Sequence, residues 1–351
     1  MKKSTQKLWN ILLMLVLFMF AGTCYAQFTG SVQGTVLDTT GAVIPKATVK
    51  LQNLNTQVSQ ETTSDSAGVF SFVSLAPGPY TVTASASGFG SATTNFTLTT
   101  NENRNVPLTL AVGQVSTQVT VTTEAPLLDT SDSRLEQTLN TTALTDLPLP
   151  GRNPTNVITV APGVTGLGGQ ASPGTARSTN FAPENWVNAS ANGRGANGNQ
   201  YVVDGMDVTS SIRPGVINLT PNADTVQEVS VQTNTYTVDY GRASSIQTVM
   251  TTKSGTNEFH GILSDYYTYQ GLTARGEFGV PQPTPLNPYH VNNMSFVVGG
   301  PVIPKKQFFF FVGYEPYLSL ASNGTNEVEF EAPEFLQFAQ TVKPNSPEVQ
   351  L

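Results

Sequence analysis

The spacing of apolar residues changes character four times along this chain, and each change marks a different kind of segment. Leu8 to Ala21 is an apolar stretch behind Lys2, Lys3 and Lys7. At about 14 residues it is short of the roughly 20 that a spanning helix requires. Cys24-Tyr-Ala26 before Gln27 puts small residues at the outer positions of a signal-peptidase site, so residues 1–26 read as a secretory leader. A lipoprotein reading would acylate Cys24, but Thr23 and Ala21 make a poor lipobox. From Thr29 to about Val121 the period drops to two: Val32, Gly34 and Val36; Val49 and Leu51; Phe70 and Phe72; Tyr80, Val82 and Ala84; Val106, Leu108 and Leu110. Asp38-Thr-Thr-Gly41, Asp65-Ser-Ala-Gly68 and Pro77-Gly-Pro79 supply the turns between them. The pattern predicts a small antiparallel β-sandwich of about 90 residues, enough to enclose one core.

Periodicity then fades. Ser133-Arg-Leu-Glu136 has the form of a capping box and predicts a weak helix over Gln137-Thr-Leu-Asn-Thr-Thr142. Gly163 to Gln200 is packed with Gly, Ala, Ser and Asn, and Tyr201 to Val203 reads as a strand. The fourth change comes in the last hundred residues, where TTKSGTNEFHG (Thr251 to Gly261) leads into FVVGGPVIPKKQFFFFVGYE (Phe296 to Glu315). Strand-length runs with aromatics near their ends are what a strand crossing a bilayer needs. Three or four such strands cannot close a barrel, and an open sheet in hydrocarbon leaves backbone groups unsatisfied, so the remainder of the barrel is expected to be absent. Phe308 to Phe311 breaks strict alternation, which predicts either an inward-turned aromatic or a bulge.

Composition narrows the class. Charged residues are 12% of the chain and the formal charge is −7. With no basic cluster and an acidic balance that repels phosphate backbones, nucleic acid is not an expected partner. The one cysteine lies in the expected leader, which leaves the mature chain no disulfide or thiol chemistry. Two motifs mislead. Gly193-Arg-Gly195-Ala-Asn-Gly198 satisfies G-x-G-x-x-G, but a polar, Asn-rich segment precedes it and a strand follows it, so no helix N-terminus is expected to receive a phosphate. Asp204-Gly-Met-Asp207 lacks the ligand spacing of a calcium loop and reads as a strand-turn-strand corner.

The residues carry a resemblance. GTVLDTTGAVIPKATVKLQN and TTSDSAGVFSFVSLAPGPYTVTASASGF, over roughly residues 30 to 112, resemble the carboxypeptidase regulatory-like domain, a transthyretin-like and carbohydrate-binding-like sandwich. That resemblance places Gly68 and Gly78 in turns and packs Tyr80 inward. It implies no peptidase activity, because a zinc site needs two His and a Glu while His260 and His290 lie far downstream. Five motifs follow in the order of the plug of Oar-like TonB-dependent receptors. They are LPLPGRNP (Leu147 to Pro154), VAPGV (Val160 to Val164), NGRGANGNQYVVDGMDV (Asn192 to Val208), VQEVSVQTNTYTVDYGR (Val226 to Arg242) and TTKSGTNEFHG. Where many relatives have paired glycines, this chain has Ala243-Ser-Ser245, so a less permissive backbone is expected in that loop.

The expected fold class is therefore mainly β: a leader (1–26), a sandwich (27–122), an α+β plug domain with its connector (123–253), and the first three or four strands of an incomplete, usually 22-stranded barrel (254–351). The resemblance implies a non-catalytic outer-membrane receptor for energy-coupled uptake, with a periplasmic sandwich, no cofactor and no metal. Its partners would be a TonB-type energy-transducing protein, outer-membrane lipid and an unknown extracellular ligand such as a glycan or peptide. Val119, Thr120, Val121, Thr122 and Thr123 form a β-prone stretch ahead of Pro126. It reads as the last strand of the sandwich or as a strand that pairs with the TonB-type partner by β-augmentation. Trp186, Arg194 and Asn197 are candidates for ligand contacts or for packing in the barrel lumen. The competing class is a cell-surface or periplasmic carbohydrate-binding or adhesion module, which needs exposed aromatic platforms on the sandwich.

Overall fold

The computed structural model describes residues 30–113, 119–122, 135–147, 149, 152–169, 185–234, 236, 241–272, 289–304, 307–321, 337–338 and 341–342. The expected leader, Thr123 and the polar turn at Lys305-Lys306 lie outside the described residues.

The alternating N-terminal segment forms β1 (Gly30–Asp38), β2 (Thr48–Asn53), β3 (Ser59–Thr63), β4 (Val69–Leu75), β5 (Gly78–Ser85), β6 (Ala92–Leu98), β7 (Asn103–Asn105), β8 (Leu108–Leu110) and β9 (Val119–Thr122). One sheet runs β4-β1-β7, with β8 also on β1; the other runs β3-β2-β5-β6-β9. The inward positions of both sheets, among them Val32, Val36, Phe70, Phe72, Val49, Leu51, Val82, Phe96 and Leu108, close into one buried cluster. Each such side chain contributes about 1.5–3 kcal/mol through burial. Asp65 caps its own turn through Ala67 N–H and Val69 N–H, and Gly68 takes a φ of 74° there. Tyr80 is buried and its hydroxyl donates to the Ala76 carbonyl at 2.8 Å, closing the Pro77-Gly-Pro79 corner. Two strands carry little alternating signal: β3 is SQETT throughout, and β6 is ATTNFTL.

The middle unit comprises β10 (Leu135–Asn140), α1 (Thr141–Asp146), β11 (Val164–Gly169), β12 (Asn185–Ala191), β13 (Gln200–Val203), β14 (Met206–Asp207), β15 (Val216–Ile217), β16 (Val226–Asn234) and β17 (Gln247–Thr252). Its main sheet has the order β10-β16-β17-β13-β14, and β11-β12-β15 form a smaller one. Between the two lies a second core of Tyr201, Val203, Val229, Val231, Met250, Ile246, Val157, Ile158 and Ile217.

Two expectations need correcting here. The capping box at Ser133 does not start a helix: Leu135–Asn140 pairs with β16 as a strand, and the helix begins one turn later. Asn140 is its cap, with its side chain accepting from Ala143 N–H at 3.1 Å. Sheet pairing outcompetes a six-residue stretch of weak helix formers. The segment before Gly193 is also a strand, β12, not irregular chain. After Gly195 the chain makes a three-residue 3₁₀ turn, Ala196–Gly198, and then enters β13, so no helix N-terminus faces the glycines. The Asp204-Gly-Met-Asp207 corner is the expected hairpin, with Asp204 and Gly205 at φ of 48° and 80°.

The C-terminal sheet contains β18 (His260–Tyr269), β19 (Tyr289–Pro301), β20 (Phe309–Tyr314) and β21 (Tyr317–Ala321). β18 and β19 pair in one uninterrupted antiparallel register, His260 opposite Gly299 and Tyr269 opposite His290. β20 and β21 both pair with β19, along its two halves, so they act as one strand interrupted at Glu315-Pro316. The register through Phe309, Phe310 and Phe311 is regular. Of the two expectations for this run, the inward-turned aromatic is the one realised: Phe311 stacks on His260, while Phe310 packs against Phe259 on the opposite face.

Candidate functional site

Strand alternation divides the C-terminal sheet into two chemically different faces. Leu263, Phe296, Val298, Val312, Tyr314, Leu318 and Leu320 are exposed on one of them. Ser264, Tyr266, Ser295 and Val297 point the other way, onto the middle unit, and Ser295 and Val297 are buried there. Gly313 is needed at this seam because a Cβ would stand 2.5 Å from the Thr225 methyl.

Asp224 is the hub of the seam. Asn222 caps the 3₁₀ turn Ala223–Thr225 by accepting from Asp224 N–H, which aims the Asp224 carboxylate at β18. Arg152 donates to it at 2.7 Å and 3.4 Å, Ser264 Oγ donates to it at 2.7 Å, and Asn222 Nδ2 reaches Ser295 Oγ at 3.0 Å. The Arg152 guanidinium also lies 3.7 Å from the centre of the Tyr266 ring, a cation–π contact between middle unit and sheet. Burial by itself would raise the Asp224 pKa, but the hydrogen bonds from Arg152 and Ser264 and the Arg152 charge hold it below the ordinary carboxylate value. Lys253 Nζ donates to the Asp224 carbonyl at 2.8 Å; its pKa is lowered by burial, against the pull of the Asp224 charge. Arg152 itself sits at φ 53°, a left-handed conformation that a non-glycine residue adopts only under constraint.

A second carboxylate joins the sandwich to the middle unit. Glu228, on β16, is buried, and its Oε2 accepts from Thr100 N–H at 2.8 Å and Thr100 Oγ1 at 3.0 Å. The Thr100 hydroxyl also lies 3.1 Å from that of Thr251. Glu102 closes the same turn from the sandwich side by accepting from Thr99 N–H at 2.8 Å and pairing with Arg104 at 3.0 Å. Burial raises the Glu228 pKa, the two Thr100 hydrogen bonds oppose this, and the nearby Glu102 charge adds to the rise. Gln227 Nε2 donates to the Pro77 carbonyl at 3.2 Å, and Asn257 N–H to the Asn55 carbonyl at 3.1 Å.

The residues singled out from sequence are distributed unevenly. Trp186, on β12, and Asn197 meet at a shallow cleft of about 480 Å³ that Ile212, Arg213, Pro214 and Val216 also line. Arg194 is exposed and outside that lining. Val119 to Thr122 are β9, paired in parallel with β6 from Ala92 to Asn95 at one edge of the sandwich sheet. Ser244 and Ser245, where paired glycines were expected, donate backbone N–H to the Gly198 carbonyl, and Ser245 Oγ accepts from Ala191 N–H at 3.0 Å. The serines thus tie the loop down, and Gly198 carries the close approach: a Cβ there would stand 2.2 Å from Ser244 Oγ. The sandwich aromatics Phe70, Phe72, Tyr80 and Phe96 are buried and Phe89 is half-buried, so none forms an open platform. His260 and His290 sit at opposite ends of the β18–β19 pair, and among the described residues no group of three His, Cys, Asp or Glu is placed to hold a metal. Sequence reasoning missed Asp224, Arg152 and Glu228. Arg152 lies inside the LPLPGRNP motif, yet only the fold brings it to Asp224, 72 positions away.

Family models match both ends of the chain: residues 31–111 fit the carboxypeptidase regulatory-like domain, and residues 251–335 an outer membrane beta barrel domain. With these two segments in this order the chain is TonB-dependent receptor-like, mainly β, and of outer-membrane character. Among characterised proteins it is similar to the TonB-dependent transporter Oar of Myxococcus xanthus, at 30% identity over 132 residues. That match covers 36% of this chain and 12% of Oar, so the chain spans about an eighth of the length of the relative. Of solved structures, the ferric enterobactin receptor of Pseudomonas aeruginosa superposes over 53% of this chain and 24% of its own, at 20% identity and a TM-score of 0.33. The Bacillus anthracis TIE protein superposes over 24% of this chain and 17% of its own, at 19% identity and a TM-score of 0.22. Likenesses this partial add nothing to the argument from geometry.

Proposed function

We propose that this chain is the N-terminal part of an outer-membrane TonB-dependent receptor that takes up a ligand without making or breaking a bond. The observation that carries the reading is the seating of the middle unit on one face of sheet β18–β21, through Asp224, Arg152 and Tyr266, while the other face presents Leu263, Phe296, Val298 and Val312. In this reading the middle unit is the plug, the polar face looks into the lumen and the apolar face meets lipid. The leader exports the chain and the sandwich stays in the periplasm. Val119 to Thr123 offer backbone groups to a TonB-type protein, and β9 has a sheet edge open for that among the described strands. Trp186, Asn197, Ile212 and Arg213 would meet the extracellular ligand, whose class a glycan or a peptide both fit; Arg194 stands apart from them.

The test uses the complete receptor in outer-membrane vesicles and the soluble C-terminal domain of a TonB-type protein as probe. Saturable binding that falls at least about tenfold on deletion of Val119 to Thr123 supports the assignment. Equal binding by the deletion variant removes this segment as the contact, and absence of the receptor from the outer-membrane fraction overturns the reading as a whole.

A further inference from the structure

We infer that the sandwich is a latch on the middle unit, held by Glu228, which shares any load applied to the connector between β9 and β10. The inference rests on the proposed reading only in taking Val119 to Thr123, at the head of that connector, as the place where a partner pulls. Topology supplies the argument. One end of the connector leads into β9, which is paired to β6 of the sandwich. The other leads into β10, which is paired to β16 of the middle unit.

If the sandwich were only tethered, a pull on the connector would reach β10 alone. It is docked instead, by Thr100 on Glu228 and Pro77 on Gln227 of the middle unit and by Asn55 on Asn257 of the segment that leads into β18. Both points on the middle unit lie on β16, the strand from which β10 must separate. Force on the connector therefore divides between the β10–β16 ladder and a second route through β9, the sandwich and Glu228, back to β16. Both must yield before the middle unit opens. The second route is the chemically specific one, because Glu228 is buried and its accepting oxygen holds both the N–H and the hydroxyl of Thr100, with Thr251 behind them. Losing the Glu228 acceptor leaves Thr100 N–H buried without a partner, which costs more than the bond itself contributes.

The experiment applies force directly, so that it is independent of any partner. The complete receptor is anchored by its barrel in a supported membrane and pulled at constant force through a peptide-tag handle inserted after Glu124. Glu228→Ala is expected to shorten the lifetime of the closed state about tenfold or more. Thr100→Val, which keeps the backbone donor, should shorten it by less. The pair Thr100→Cys and Thr251→Cys, oxidised, should lengthen it, and reductant should return it to the wild-type value. Unchanged lifetimes in Glu228→Ala and in the oxidised pair overturn the latch. A receptor that shows these shifts but does not bind the TonB-type domain through Val119 to Thr123 keeps the latch and loses the proposed coupling, so the two failures are told apart. Wild-type heat-modifiability on gels is required of each variant, and Thr100→Val serves if Glu228→Ala does not assemble.

Discussion

At the scale of single residues, Asp224 concentrates the energetics of the seam between the middle unit and the C-terminal sheet. Its carboxylate is almost fully buried and is met by Arg152 and Ser264. Removing one partner of such a pair leaves the other charge stranded, so Asp224→Ala should cost about 3–5 kcal/mol in urea unfolding of the refolded receptor. Arg152→Lys keeps the charge but gives up the fork and the flat face on Tyr266, and should recover only part of the loss. Because the Asp224 pKa is lowered on folding, its contribution is present above the ordinary carboxylate pKa of about 3.9 and is lost as pH falls through the folded value. Stability measured between neutral pH and pH 3 should therefore fall more in wild type than in Asp224→Asn. Backbone contact sets a second residue-scale limit. A Cβ on Gly34 would lie 2.0 Å from the Val106 carbonyl oxygen, so Gly34→Ala should prevent the sandwich from folding, read as lost protection of residues 30–110 in hydrogen exchange.

Between elements, the sandwich and β16 are coupled through a carboxyl whose pKa moves the opposite way. Docking raises the Glu228 pKa, chiefly through burial and partly through the Glu102 charge, while Arg104 is engaged with Glu102. The docked state therefore binds protons more readily than the undocked one. Docking is fully favoured below the ordinary Glu value and weakens as pH rises through the raised one. A distance probe spanning sandwich and barrel should report more undocked receptor at the alkaline end of a pH series, and Glu228→Gln should flatten the profile. Elements also show what the sequence left hidden. β1, β2, β4 and β5 were legible because one face of each is apolar, whereas β3 carries polar residues throughout and owes its place to pairing with β2. β10 reads as a helix in the sequence because its pattern is weak and its partner, β16, lies almost a hundred residues away.

For the molecule as a whole, the proposed reading lets the two faces of the C-terminal sheet set its orientation in a membrane. Leu263 is exposed on the apolar face, whereas Ser264 beside it reaches Asp224. Leu263→Arg should destabilise the folded receptor in lipid by up to about 2–4 kcal/mol, while Ser264→Ala should act on the seam alone. Folding titrations in lipid vesicles against detergent separate the two, since only the first effect depends on the bilayer. The sequence by itself determined the order of segments, the alternating strands of the sandwich and the aromatic strands of the barrel type, because a period of two and turn residues are local properties. Only the tertiary structure decided which charges meet. Arg152 with Asp224, and Thr100 with Glu228, are joined across 72 and 128 positions by sheet pairing and packing, and no local pattern encodes a contact at that distance.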